Sequence, residues 1–171
     1  TVQKPSTSGN KYDYYNWAME CAGVGAAKVF PLSDGPGTVK VVITDRDMKS
    51  AKEELIRSVA AHIEMLRPVG AAVTLASAVE KPINLSAKVK VQSGIGLETV
   101  QEAFREKAQE HLKKYALQAS DVSLAIVGDL LINIPGVLDY QNLKLNGRAE
   151  NVELADMETA VLGTVKLEPA V

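Results

Sequence analysis

Ile83-Asn84-Leu85-Ser86-Ala87-Lys88-Val89-Lys90-Val91 alternates apolar and polar residues without a break. Successive side chains of a strand point to opposite faces, so Ile83, Leu85, Ala87, Val89 and Val91 share one side and Asn84, Ser86, Lys88 and Lys90 the other. Such a strand covers a core with one face and meets water with its back. After Gly94-Ile95-Gly96 the period changes. Leu97, Val100, Phe104, Ala108, Leu112 and Tyr115 recur every three or four positions, which is the spacing of one helix face. A half-exposed strand followed by a long amphipathic helix predicts a helix laid over a small sheet.

Toward the C-terminus, a second short helix is expected over 121–131. Strands are expected over Val137 to Leu145, Val152 to Leu154 and Val161 to Leu167, with Asn146-Gly147 as a turn. Toward the N-terminus, Ala76 to Lys81 marks a boundary, and ahead of it lies a second set of elements. Ala72 to Leu75 reads as a strand. Pro68 and Gly70 stop a helix whose face is Leu55, Ile56, Val59, Ile63 and Leu66. Ser50-Ala51-Lys52-Glu53 has the pattern of a capping box at that helix's start. Ala26 to Leu32 and Val39 to Ile43 read as a hairpin closed by Ser33-Asp34-Gly35-Pro36-Gly37. Lys11 to Met19, with Tyr12, Tyr15 and Met19 at spacings of three and four, reads as a short helix ending near Cys21-Ala22-Gly23. Residues 1–10 read as a linker. The expected fold class is α+β: two small α/β sandwich units, 11–78 and 79–171, each a short, mostly antiparallel sheet packed by one or two helices. A faint echo links them, since Gly23-Val24 and Gly136-Val137 each follow a short helix and precede a strand, a turn and another strand.

Composition excludes several classes. Among 171 residues, 46% are hydrophobic and 23% charged, enough for a real core. The 19 basic and 21 acidic residues are mixed along the chain, without the basic stripe that phosphate contacts demand. No apolar run approaches the ~20 residues a bilayer span needs. The polar stretch 1–10 lacks the apolar core of a signal peptide. A single cysteine, Cys21, forms no internal disulfide, which fits synthesis in a reducing cytosol.

Catalytic and binding patterns fail one by one. His62 and His111 sit in the two long helices without a second ligand at helical spacing. Gly94-Ile95-Gly96 lacks the third glycine of a dinucleotide loop and the Lys-Ser/Thr of a P-loop. Asp34, Asp45 and Asp47 miss the spacing of a calcium loop. Asn84-Leu85-Ser86 matches a glycosylation sequon but lies in a strand. Neither catalytic, cofactor-binding nor metal-ligating residues are expected. Tyr12, Tyr14, Tyr15 and Trp17 remain, half of the eight aromatics within six positions. They either pack on the first unit's core or form a protein contact, where Tyr and Trp are enriched.

Five stretches in order carry a resemblance. Trp17 to Val29, with Gly23-Val24-Gly25-Ala26-Ala27-Lys28-Val29, leads into Gly35-Pro36-Gly37-Thr38-Val39-Lys40-Val41. Arg67-Pro68-Val69-Gly70-Ala71-Ala72-Val73-Thr74-Leu75 follows, then Ile134-Pro135-Gly136-Val137-Leu138-Asp139-Tyr140 with Leu143-Lys144-Leu145-Asn146-Gly147, and last Val161-Leu162-Gly163-Thr164-Val165. Together they resemble the J-like baseplate proteins of contractile-tailed phages and phage-like prophages. Ala22 departs from the proline usual there. The resemblance implies a non-enzymatic wedge component, present in several copies and forming the C-terminal part of a longer protein. Its partners would be other baseplate and tail proteins and further copies of itself, without nucleic acid, membrane, small-molecule substrate or cofactor. It would reside in the virion tail baseplate, after assembly in the host cytoplasm. The rival expectation is a non-catalytic tail module that contacts a host or cell-surface ligand.

Overall fold

The computed structural model describes residues 10–171. The chain divides between Val79 and Glu80 into two compact units, and the fold class is α+β.

The first unit runs α1 (Lys11–Met19), β1 (Ala27–Pro31), β2 (Thr38–Ile43), α2 (Glu53–Leu66) and β3 (Ala72–Ser77). Its sheet has the order β1-β2-β3. β1 and β2 form the expected hairpin, antiparallel with Ala27 opposite Ile43 and Pro31 opposite Val39. Gly35 and Gly37 take φ of +108° and +80° in the connecting loop, a region open to glycine at little cost. The Thr38 hydroxyl donates to the Gly35 carbonyl at 2.6 Å and pins the turn. β3 departs from the antiparallel expectation and runs parallel to β2, Thr38 beside Ala72. A parallel pair needs a crossover, and α2 provides it. α1 packs on β1 and β2, and α2 on β3. Between helices and sheet lies a core of Tyr14, Ala18, Ala27, Val29, Val41, Ile43, Val59 and Ile63.

Capping falls elsewhere than expected. The helix after Ser50 starts at Glu53, with Lys52 at its N-cap and no side-chain cap bond. Ser50 instead bridges Thr44, and the Ala51 amide donates to the Ser77 hydroxyl at 2.8 Å. Tertiary pairing thus claims the segment that a local capping box would have used. The true capping box opens α1. Asn10 Oδ1 accepts from the Asp13 amide at 2.9 Å, and the Asn10 amide donates back to Asp13 at 3.4 Å. Asn10, the last residue of the expected linker, is therefore the cap of a helix. Residues 1–9 of that linker lie outside the described residues.

The second unit holds most of β4 (Val79–Val91), then α3 (Leu97–Lys114), β5 (Asp121–Val122), α4 (Leu124–Ile132), β6 (Val137–Leu145), β7 (Val152–Glu153) and β8 (Glu158–Pro169). β4 is the central strand, between β6 and β8, and runs antiparallel to β6. The alternation holds: Ile83, Leu85, Ala87 and Val89 are buried, and Asn84, Lys88 and Lys90 exposed. α3 packs on β8 and α4 on β6, with Phe104, Val100 and Leu131 fully enclosed.

The helix expected from residue 121 starts later. Asp121 and Val122 pair antiparallel with Glu153 and Val152, and Ser123 then caps α4 by accepting from the Ile126 amide at 3.2 Å. A two-residue strand is too short to show any period. The echo between units holds in part. Gly23 and Gly136 both take φ +95° between a short helix and a strand. Asn146 and Gly147 form a two-residue turn with φ of +51° and +80°, closed by an antiparallel bridge between Leu145 and Arg148, but along its length β6 pairs with β4.

Candidate functional site

The four aromatics of α1 split between two faces. Tyr14 is buried in the core at 1% exposure, and Trp17 meets it edge-on with ring centroids 5.1 Å apart. Three residues apart on a helix, the two share a face with Ala18. Tyr12 and Tyr15 point outward, 50% and 37% exposed. The Tyr14 hydroxyl finds no hydrogen-bond partner among the described residues. Burial pushes its pKa up; the Arg67 charge draws it back and Asp13 adds to the rise. The end of α1 is tied to α2 by His62 Nε2 and Glu20 Oε1 at 3.0 Å.

Cys21, the Asp45 loop, His111 and the Gly94 turn each make contacts or turns within the fold. Cys21 sits with Sγ 3.5 Å from the Trp17 carbonyl, and burial together with Glu20 pushes its thiol pKa up, away from the nucleophilic thiolate. Asp45 Oδ1 accepts from the amides of Asp47 and Lys49, both at 2.9 Å, and braces its own loop. His111 lies beside the Tyr115 ring, centroids 5.1 Å apart, its pKa lowered by burial and by Lys114. Gly94 takes φ +87° and Gly96 caps α3, as a strand-to-helix turn requires. Among the described residues, no group of three or more His, Cys, Asp or Glu side chains is placed to hold a metal ion. Asn84, the sequon residue, stitches three segments together. Its amide donates to Asn146 Oδ1 at 2.8 Å, and its Oδ1 accepts from the Thr164 amide at 2.9 Å.

One brace was missed from sequence. Arg67 donates to both Glu64 carboxylate oxygens at 2.7 Å and to the carbonyls of Pro68 and Ala71 at 3.2 and 2.8 Å. That fork fixes the turn in which Gly70 takes φ +91° and from which β3 departs.

Residues 6–77 match the Baseplate J-like central domain, and residues 83–168 match the Baseplate J-like protein C-terminal domain. The chain belongs to the baseplate J-like family. The phage-like element PBSX protein XkdT of Bacillus subtilis (strain 168) is 37% identical over 97% of this chain and 50% of its own length. Baseplate protein gp47 of Escherichia phage Mu is 34% identical over 48% of this chain and 26% of its own length. The chain thus spans about half the length of XkdT. In the solved baseplate of the anti-feeding prophage, one chain superposes on 90% of this one with a TM-score of 0.64, over 37% of its own length. At 14% identity that likeness establishes a shared fold.

Proposed function

We propose that this chain is a structural, non-catalytic part of the wedge of a phage-type contractile tail baseplate, acting by protein–protein contact. The observation that carries this is the succession of central and C-terminal J-like domain matches along one chain. On this basis 11–78 and 79–171 are two domains of a longer wedge protein. Their partners are other baseplate and tail proteins and further copies of the same protein, met in the host cytoplasm during assembly and kept in the virion tail. The net charge of −2, with basic and acidic residues interspersed along the sequence, argues against nucleic acid as a partner, and no helix among the described residues is long and apolar enough to cross a membrane. Tyr12 and Tyr15 are the candidate contact residues of the first unit, since they expose amphipathic rings on a capped helix. Tyr14 and Trp17 support them from the core side.

The test is electron microscopy of particles from cells whose full-length gene lacks the codons for Ile83 to Val171. Missing baseplates or absent tails are expected. Complete tails that fail only at host attachment would favour a ligand-binding module instead. Fully normal particles would remove the assembly role.

A further inference from the structure

We propose that the free edge of β3 is a docking site for an extended, uncharged segment of a different protein, which joins the first unit's sheet as a fourth strand. This rests on the contact role proposed above. The register of the sheet decides which backbone groups of β3 stay open. The Ala72 amide donates to the Gly37 carbonyl at one end of the strand, and the Ala78 amide donates to the Ile43 carbonyl just past the other, both at 2.8 Å. Between these anchors β3 runs parallel to β2 without a break, from Ala72 beside Thr38 to Ser77 beside Ile43. In such a pair a residue turns its amide and its carbonyl to the same neighbour, and the next residue turns both away. Ala72, Thr74 and Ala76 therefore serve β2, while Val73, Leu75 and Ser77 each direct an amide and a carbonyl to the open side. Among the described residues, β2 is the only strand paired with β3. Backbone donors and acceptors recurring every second residue, ~6.6 Å apart, are what another strand fits.

The other outer strands of the two three-stranded sheets are blunted, and β3 is not. An open edge pairs with any strand it meets, and proteins prevent this with proline, charge or a bulge. β1 carries Lys28 and ends at Pro31, which has no amide hydrogen to donate. The Leu32 amide bonds the Thr38 carbonyl and the Thr44 amide the Ala26 carbonyl, so the even residues of β1 serve β2 and Pro31 faces outward. β6 carries Asp139 and Lys144 and slips register twice against β4. β8 carries Glu158, Lys166, Glu168 and Pro169. Ala72-Val73-Thr74-Leu75-Ala76-Ser77 has neither charge, proline nor glycine. It lies within Pro68 to Val79, the longest stretch of the chain without a charged residue. A strand edge kept this plain is a liability unless a partner covers it. Side chains set the rest of the occupant's chemistry. Val73 and Leu75 pack against the core on the side that α2 covers, and Ala72 and Thr74 are exposed. An added strand continues that alternation, so its residues are apolar on the helix side and small or polar on the other. Residues 1–9 of this chain, with Lys4 and Pro5 at their centre, lack that pattern.

Amide hydrogen exchange resolved residue by residue tests this on the 171-residue chain, on the purified full-length protein and on assembled particles. In the first two, the amides of Val73, Leu75 and Ser77 should exchange at least about tenfold faster than those of Thr74 and Ala76. In particles they should slow at least about tenfold. Slow exchange already present in the dilute chain or the purified full-length protein would overturn the proposal, because the protein then covers its own edge. Slowing that grows with concentration of the isolated chain would overturn it as well, by making a second copy the occupant. Val73→Pro removes one outward donor, leaves the ladder to β2 intact and sets a ring where the added strand would lie. In particles carrying this variant, Leu75 and Ser77 should exchange fast while Thr74 and Ala76 stay slow. Particles in which Leu75 and Ser77 remain slow would count against the docking edge. Fast exchange at all three amides in unaltered particles that contain the protein would overturn the docking edge alone and leave the assembly role standing. Absence of the protein from purified particles would overturn both.

Discussion

Removing one oxygen from the core should make this protein more stable. Tyr14 is 1% exposed and its hydroxyl has no hydrogen-bond partner among the described residues. A buried hydroxyl left unbonded costs ~1–3 kcal/mol in proteins. Tyr14→Phe keeps the ring, and with it the edge-on contact to Trp17 at 5.1 Å. The expected gain is about 1 kcal/mol, toward the low end because the unfolded chain keeps some compactness. With a urea slope of about 2 kcal/mol/M, the midpoint should rise by about 0.5 M. Fluorescence of Trp17, the only tryptophan, reads the transition beside the substitution. The pH profile adds a second reading. Burial holds the folded Tyr14 above the ordinary value of 10.0. The fold therefore favours the protonated phenol, and this contribution is whole below pH 10 and lost as pH rises through the folded value. Tyr14→Phe should flatten that alkaline limb. A midpoint that drops by 0.5 M or more, by this same conversion, would refute the reasoning and mean that the hydroxyl is bonded in solution.

Gly25→Ala should destabilise the first unit by about 1–3 kcal/mol, the usual range for overpacking. A Cβ there meets the Asp45 carbonyl and, at 2.9 Å, Met48 Sδ, and the backbone neighbour cannot swing away; urea unfolding read by Trp17 checks it. For His111, burial and Lys114 lower the folded pKa below 6.5, so the unfolded chain takes up its proton first. Stability should be complete above pH 6.5 and fall as pH drops through the folded value, and His111→Gln should reduce this loss in melting curves collected across that range.

What could be read in advance was what has a period or an obligatory turn. Ile83 to Val91 and Leu97 to Leu112 showed their faces because each commits one whole side to a core. Gly35, Gly37, Gly70 and Gly147 marked turns because their φ values favour glycine. Tyr12 to Trp17 gave no such guidance. Tyrosine serves both inside and outside, so only the docking of α1 on β1 and β2 decides that Tyr14 turns in and Tyr12 and Tyr15 out. Pairings made at long range left no local trace either. Glu20 and His62 stand 42 residues apart, and Asn84 and Thr164 stand 80 apart. β5 and β7 are two residues each, and Ser50 has the pattern of a cap while serving a bridge to Thr44.

The stretches that carry the family likeness are the ones the fold uses up. Arg67 and Gly70 build the turn into β3, Asn146 and Gly147 close the turn after β6, and Gly163 leaves room for Asn84, which takes Thr164 as partner. Their chemistry is spent on internal hydrogen bonds and backbone geometry, which is why they announce a family without naming a partner. A protein that works by contact must do so with residues the fold does not need. The candidates proposed above, Tyr12 and Tyr15, are exposed on α1. Their solvent exposure sets the expectation for each: substitutions there should shift stability by no more than about 0.5 kcal/mol. Any larger effect of such a change on assembly would then report on contact and not on folding. Arg67 or Gly163 variants cannot make that separation, because a change at either disturbs the fold and the assembly together.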